Sequence, residues 1–415
     1  MHAHARTIRV VLGILLAVPV AAKSEAQWQL LDPPTTSDLR GIDNVGGGIA
    51  WASGTNGTVV RTEDGGYMWQ HCSTPPGAEK LDFRGIQAFD ENTAIVMSSG
   101  PGDQSRLYKT SDGCQSWTLL FTNPDPTGFF DALQFSNHRL GFVLGDPVST
   151  QVRNSREPFT GFALFATEDG GKHFQKWPLE GNKADAKTHG AFAASNSSLF
   201  IAWPFLYFGS GGSAGPRIYL NAFQQHIGYP DAHIDIHSGD WHSNSWPIPL
   251  AIGESAGVFS VVFLRDQHAE KAEMDTSELP TLHGVAVGGD YLKPEDPTGT
   301  AAYSTDGGQH WQAAQTPPHG YRSSVAYDAQ YKTWITVGPN GTDISTDDGR
   351  TWHPLHPSPA EHDAPDADQH WNALSLPFVV GPHGRVGKLR GDALDSPATP
   401  AAQAPKAPAG ESSLP

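Results

Sequence analysis

Five stretches of this chain repeat one short pattern: TEDGGYMW (Thr62–Trp69), TSDGCQSW (Thr110–Trp117), TEDGGKHF (Thr167–Phe174), STDGGQHW (Ser304–Trp311) and STDDGRTW (Ser345–Trp352). Each reads Ser/Thr-x-Asp-x-Gly/Cys-x-x-aromatic. A sixth stretch, SGDWHSNSW (Ser238–Trp246), fits with one inserted residue and without the turn glycine. The pattern describes a tight hairpin. The aspartate accepts bonds from backbone N–H groups of the turn, and the Ser/Thr hydroxyl does likewise. Glycine permits a positive φ, and the aromatic residue starts the next strand and packs inward. Asp64, Asp112, Asp169, Asp240, Asp306 and Asp347 are therefore expected to be structural rather than catalytic, because recurrence at this frequency marks a repeat architecture.

Each turn sits inside a longer unit. Unit one reads LRGIDNV, IAWASG, a TNG turn and TVVRT; unit six reads YRSSVAY, TWITVG, a PNG turn and TDIST. The Asn-Gly pairs at Asn56 and Asn340 suit two-residue hairpins better than glycosylation, although both, like Asn196, are formal sequons. Three such strands plus the one led by the aromatic make four, which is one propeller blade. First strands can be followed along the chain as LRGI (from Leu39), FRGI (Phe83), FDAL (Phe130), HGAF (His189), AGVF (Ala256), YRSS (Tyr321) and WNAL (Trp371), giving seven. The seventh unit continues LPFVVGPHGRVGKL and then lacks both turn and fourth strand. The phrase WQLLDPPT (Trp28–Thr35) matches the strand after the turn in other units, such as WQHCSTPP and WQAAQTPP. Trp28–Leu31 is thus expected to supply the missing outer strand and close the ring, leaving no open sheet edge. The fold expected is all-β, a seven-bladed β-propeller over residues 27–391, and the turns resemble the Asp-box (BNR) repeats of such propellers.

The ends of the chain read differently. Arg6 and Arg9, the apolar run Val10–Ala22 and the small-x-small Ser24–Ala26 form a secretory signal over residues 1–26. Residues 392–415 are rich in Pro, Ala and Ser and cannot bury a core, so a disordered tail is expected. An exported, periplasmic or secreted monomer follows, with no direct membrane insertion once the signal is removed. The net charge of −17 argues against nucleic acid as a partner. Cys72 and Cys114 lie in neighbouring units. In an oxidising compartment they can form a disulfide, and two buried thiols are the alternative. The His226, His233, His237 and His242 stretch has no recognised metal spacing, so neither metal nor cofactor is expected.

Strand direction alternates within a blade, so the starts of first strands share a face with the turns between second and third strands. On that face Arg40, Arg84, Asp131, His189, Arg322 and Asn372 should approach the channel, joined by Glu254, Asp146, Asp290 and Tyr291. Arg40, Arg84 and Arg322 belong to blades one, two and six, so three arginines are expected to crowd one side, facing the acidic residues. Arginine offers fixed donors for carboxylates, and a convergent polar mouth is a binding-site hypothesis. A network that merely keeps the channel polar is the alternative.

Beyond the repeats, the paired LRGI and FRGI strands, VLGDPV, VGGDY and the closing WNALSLPFVVGPHGRVGKL resemble the photosystem II stability/assembly factor family of β-propellers and its non-photosynthetic bacterial relatives. That resemblance spans Trp28 to about Leu389. It implies a non-catalytic protein that binds a protein or peptide, such as a membrane-protein precursor, partly through propeller arginines; Arg40, Arg84 and Arg322 are the positions available here. The rival reading is a glycoside hydrolase, since sialidases and some glucanases also use Asp-box propellers. It would draw on Asp131, Asp146, Glu254, Asp290 and Tyr291, and a pair of carboxylates at about 5–10 Å would be needed. The Arg-Ile-Pro motif of sialidases is absent, and GPRIYL at Gly215 is misplaced for it.

Overall fold

The computed structural model describes residues 28–150, 158–177, 181–202, 204–222, 242–265, 282–356, 364–391 and 393–394. The signal segment, nearly all of the tail, and His226, His233, His237 and Asp240 lie outside them. Seven antiparallel sheets, six of four strands and one of five, follow one another as the blades of a β-propeller. Innermost strands are Leu39–Gly46, Phe83–Ala88, Phe130–Phe135, Leu199–Ala202, Gly253–Arg265, Ser324–Asp328 and Ala373–Ser375. Their alternating side chains pack against the next blade, so the core is a set of apolar layers between sheets. In blade seven, Trp28–Leu31 is hydrogen-bonded antiparallel to Val386–Leu389, with Trp28 opposite Leu389. Trp28 is fully buried, its indole N–H reaches the Thr342 hydroxyl at 3.0 Å, and its ring lies 6.0 Å from that of Trp371.

The five repeated turns share one hydrogen-bond scheme. In the first, the Thr62 hydroxyl donates to Asp64 at 2.9 Å, and the N–H groups of Gly66 and Met68 donate to Thr62 Oγ1 and Asp64 Oδ1. The same bonds recur at Thr110/Asp112, Thr167/Asp169, Ser304/Asp306 and Ser345/Asp347. The donors favour the charged carboxylate: the Ser116 hydroxyl and N–H hold Asp112 down at about 2. Gly66 and Gly349 of these turns have positive φ, and a Cβ there would strike the neighbouring blade, at 2.8 Å from Phe378 for Gly66 and 2.8 Å from Val285 for Gly349. Cys114 occupies this position with φ 63°. Its side chain is consequently aimed at the preceding blade, where it is bonded to Cys72.

Blade four departs from the sequence reading in two respects. Its innermost strand is Leu199–Ala202, not the HGAF stretch beginning at His189. The residues between are small and polar and cannot furnish an apolar blade face; Leu199 can, and is buried. Ala193–Ser198 instead crosses the centre of the ring. Ala193 O accepts from Arg84 of blade two, and Asn196 Oδ1 accepts from Leu133 N of blade three. Ser197 Oγ donates to Ser260 of blade five, and Ser195 Oγ to Ser323 O of blade six at 2.7 Å. Asn196 takes the left-handed conformation, φ 66°, that asparagine tolerates best among non-glycine residues. The second departure is Trp246, which does not lead the fourth strand but lies within it, in His242–Pro247 opposite Ile218.

Innermost strands leave a row of N–H groups without a partner in their own sheet, and a side chain of an adjoining blade accepts several of them. Asp43 accepts from Ala88 N, Gln87 from Phe135 N, Gln134 from Ile201 N, Ser260 from Val325 N and Ser375 from Asn44 N, all at 2.8–3.0 Å. Asp43 is the acid in this series. Burial pushes its carboxyl from 3.8 up to about 7, with the Ala88 N–H opposing.

Two expectations follow. The disulfide closes a loop with a sequence separation of 42, so reduction, or Cys72→Ser with Cys114→Ser, should lower unfolding free energy by about 2–4 kcal/mol in denaturant titration. Because the folded-state pKa of Asp43 lies above 3.8, its contribution is complete below pH 4 and is lost as pH rises through about 7. Asp43→Asn keeps an acceptor for Ala88 but carries no charge, so its melting temperature should fall less steeply between pH 4 and 8. Parallel slopes for parent and variant would refute this.

Candidate functional site

Two arginines share one carboxylate at the start of blades one and two. Arg40 Nε donates to Asp82 Oδ1 at 3.2 Å and Arg84 Nε to Asp82 Oδ2 at 2.8 Å. Each guanidinium is thereby held at its inner nitrogen. The side chains remain 28% and 32% exposed, and Arg84 Nη1 also donates to Ala193 O at 3.1 Å. The result is a pair of oriented cations at the edge of the crossing segment. Asp82 was not among the residues singled out in the sequence, although Asp38 and Asp82 stand alike two places before each arginine in SDLRGI and LDFRGI.

Arg322 does not join them, which corrects the expectation of three clustered arginines. It is fully buried inside blade six, where its guanidinium bonds the Asp343 carboxylate, the Tyr321 carbonyl, Asn340 Oδ1 and His319 Nδ1. Burial opposes ionisation of Asp343, but Arg322 and His319 hold it below the usual carboxylate range. Asn372 likewise does structural work, its amide donating to Leu39 O at 2.8 Å and joining blade seven to blade one. His189 lines a separate cleft of about 420 Å³ with Pro158, Thr160, Lys183, Ala184 and Asp185.

The four acidic candidates fall into two kinds. Asp131 is 1% exposed, and its Oδ2 has no hydrogen-bond partner among the described residues. Burial, and then the neighbouring Asp146, push its pKa well above the ordinary value, with Arg84 opposing. Asp146 accepts from Ala191 N at 3.0 Å, and burial raises it too. Asp131 is therefore closed to solvent and shifted toward its neutral form. Glu254 and Asp290 sit instead at the start of the Gly253–Arg265 strand and the end of its neighbour Leu282–Asp290 in blade five. Glu254 is exposed, while Asp290 is held below its ordinary pKa by the Ser255 hydroxyl, which donates to it at 2.6 Å, and by Lys293.

Between the arginines and these acids lies an aromatic row that sequence reasoning missed, apart from Tyr291. Phe259 stacks on Phe192 at 4.1 Å and meets Tyr321 edge-on at 4.8 Å and Tyr291 at 6.2 Å. The Tyr321 hydroxyl is pushed up by burial and then by Tyr291, with Arg84 opposing. These four rings come from four places in the chain and no local pattern links them. Among the described residues no group of His, Cys, Asp and Glu is arranged to hold a metal ion.

The roles of the two inner arginines should separate in mutants. Arg322→Ala leaves Asp343 buried with His319 as its remaining ionic partner and should cost about 3–5 kcal/mol in denaturant unfolding. Arg84→Ala, whose pair is partly solvated, should cost only about 1 kcal/mol. Equal losses would contradict this division.

No family model and no curated protein matches the chain. Similar solved structures exist. A structure described as YCF48 bound to D1 peptide aligns with TM-score 0.53 at 16% identity over 89% of this chain and 99% of that one. YCF48 from Cyanidioschyzon merolae aligns with TM-score 0.54, also at 16% identity, over 88% and 100%. The extracellular domain of the putative one component system BT4673 from B. thetaiotaomicron aligns with TM-score 0.51 at 11% identity, over 88% of this chain and 40% of that one. The likeness is one of fold: this chain is a seven-bladed β-propeller.

Proposed function

We propose that the protein is an exported, non-catalytic propeller that holds a protein or peptide segment, such as part of a membrane-protein precursor, through a carboxylate at Arg40 and Arg84. The observation that carries this reading is the shared Asp82, which fixes both guanidinium groups by Nε while leaving each side chain about a third exposed. The peptide-bound state of the YCF48 neighbour supports a peptide as the kind of ligand such a face takes. Export agrees with the Cys72–Cys114 disulfide, since such bonds persist in oxidising compartments.

Hydrolysis is the weaker reading. A glycosidase needs two carboxylates that both reach the substrate. Asp131 is buried, Asp146 is half-buried and accepts from Ala191 N, and Asp290 is engaged by Ser255 and Lys293. Only Glu254, of the four, is an exposed acid without these constraints.

The test is affinity capture from native envelope extract, comparing the parent with Arg40→Ala/Arg84→Ala and using melting temperature to confirm that both are folded. Partners retained by the parent should be depleted at least tenfold in the double variant, the loss of about 1.4 kcal/mol or more in binding. Undiminished capture, or turnover of glycosides abolished by Glu254→Gln, would reject the proposal.

A further inference from the structure

The corner of blade five carries an exposed apolar patch that the arginine pair does not explain. Ile252 and Leu292 are each 70% exposed and Tyr291 is 47% exposed. Backbone bonds gather them: Tyr291 N donates to Ser255 O, and Ala251 N donates to Gly299 O of the turn that carries Tyr291 and Leu292. Such a group of large apolar side chains on the surface is the kind of feature that marks an interaction site. Its surroundings are acidic, with Glu254, Glu295 and Asp296 all exposed and Lys293 engaged by Asp290. The patch is not isolated from the arginines. Tyr291 touches Phe259, Phe259 stacks on Phe192, and the next residue in the chain, Ala193, accepts from Arg84 through its carbonyl. One face therefore runs from cationic, past the half-buried Phe192, to apolar with an acidic rim.

We infer that this face binds one extended peptide segment lying from blade two to blade five, with an acidic residue or terminal carboxylate at Arg40 and Arg84, and with large apolar side chains flanked by Lys or Arg on Ile252, Tyr291 and Leu292. The inference rests on the arginine site proposed above and adds the far end of its ligand. Charge complementarity sets the polarity. Basic residues placed at the arginine end would meet two guanidinium groups, and acidic residues at the corner would meet Glu254, Glu295 and Asp296. The apolar side chains supply area that an ion pair at a partly solvated site does not. The crossing segment, Ala193–Ser198, denies the peptide a path through the ring and keeps it on this face.

The probe is a fluorescent peptide with Glu-Glu at one end and Phe-Leu-Lys-Lys at the other, joined by Gly-Ser spacers of several lengths and read by anisotropy. At least one spacer should give saturable binding. Replacing Phe-Leu by Ser-Ser in the peptide, or Ile252→Ser/Leu292→Ser in the protein, should weaken it about tenfold. Both protein positions are largely solvent-exposed, so the variant keeps its fold. Exchanging the charged ends of the peptide together, leaving Phe-Leu in place, should weaken binding as much. If Ile252→Ser/Leu292→Ser binds like the parent while Arg84→Ala does not, the blade-five inference fails and the arginine site stands. If Arg84→Ala also binds like the parent, or no spacer binds, both fail. A parent dimer in sedimentation that Ile252→Ser/Leu292→Ser converts to monomer would assign the patch to a second copy of the chain and overturn the inference.

Discussion

A sheet arranged as a blade has an inner edge, and that edge faces the axis of the ring with backbone N–H groups that its own sheet cannot satisfy. Buried donors without partners cost about as much as a lost hydrogen bond each. Here adjoining blades answer one another: Asp43, Gln87, Gln134, Ser260 and Ser375 each accept an N–H from an adjacent inner strand. The apolar layers between blades have no direction of their own. These bonds set the register in which the layers meet, and so determine where the arginines at the strand starts come to rest.

The site inherits this arrangement. Arg40 and Arg84 occupy equivalent places in successive blades, and the repeat brings them to one carboxylate, Asp82. Arg322 occupies a nearly equivalent place in sequence but turns into its own blade, because blade six offers Asp343 and Asn340 as buried acceptors there. The same residue type thus stays partly exposed in one blade and is buried in another, and the difference lies in the acceptors supplied by the third strand and the turn before it.

Much of this was legible before any coordinates. Hairpin turns and strand periodicity are local, so the Thr62–Trp69 class of turn and the count of seven units could be read directly. The turn cysteine was also visible at Cys114, but its partner depends on how one blade's turn faces the preceding blade. Local patterning misled at HGAF, where four residues that alternate like an inner strand belong to a segment leading into the ring's centre. It misled at Arg322 for a related reason, since burial is decided by what another strand contributes. The aromatic row of Phe192, Phe259 and Tyr321 joins residues far apart in sequence, and nothing in their immediate neighbours announces it.

The crossing segment changes how the ring should respond to stress. A repeat array held by nearest-neighbour interfaces can open at one junction and fray from there. Ala193–Ser198 ties blade four to blades two, three, five and six at once. It acts as a hub among the spokes of a wheel. Parting any of these blades from the centre breaks bonds that also position the others, so the energetic unit of this propeller is the ring rather than the blade, and its unfolding belongs with that of a single cooperative domain.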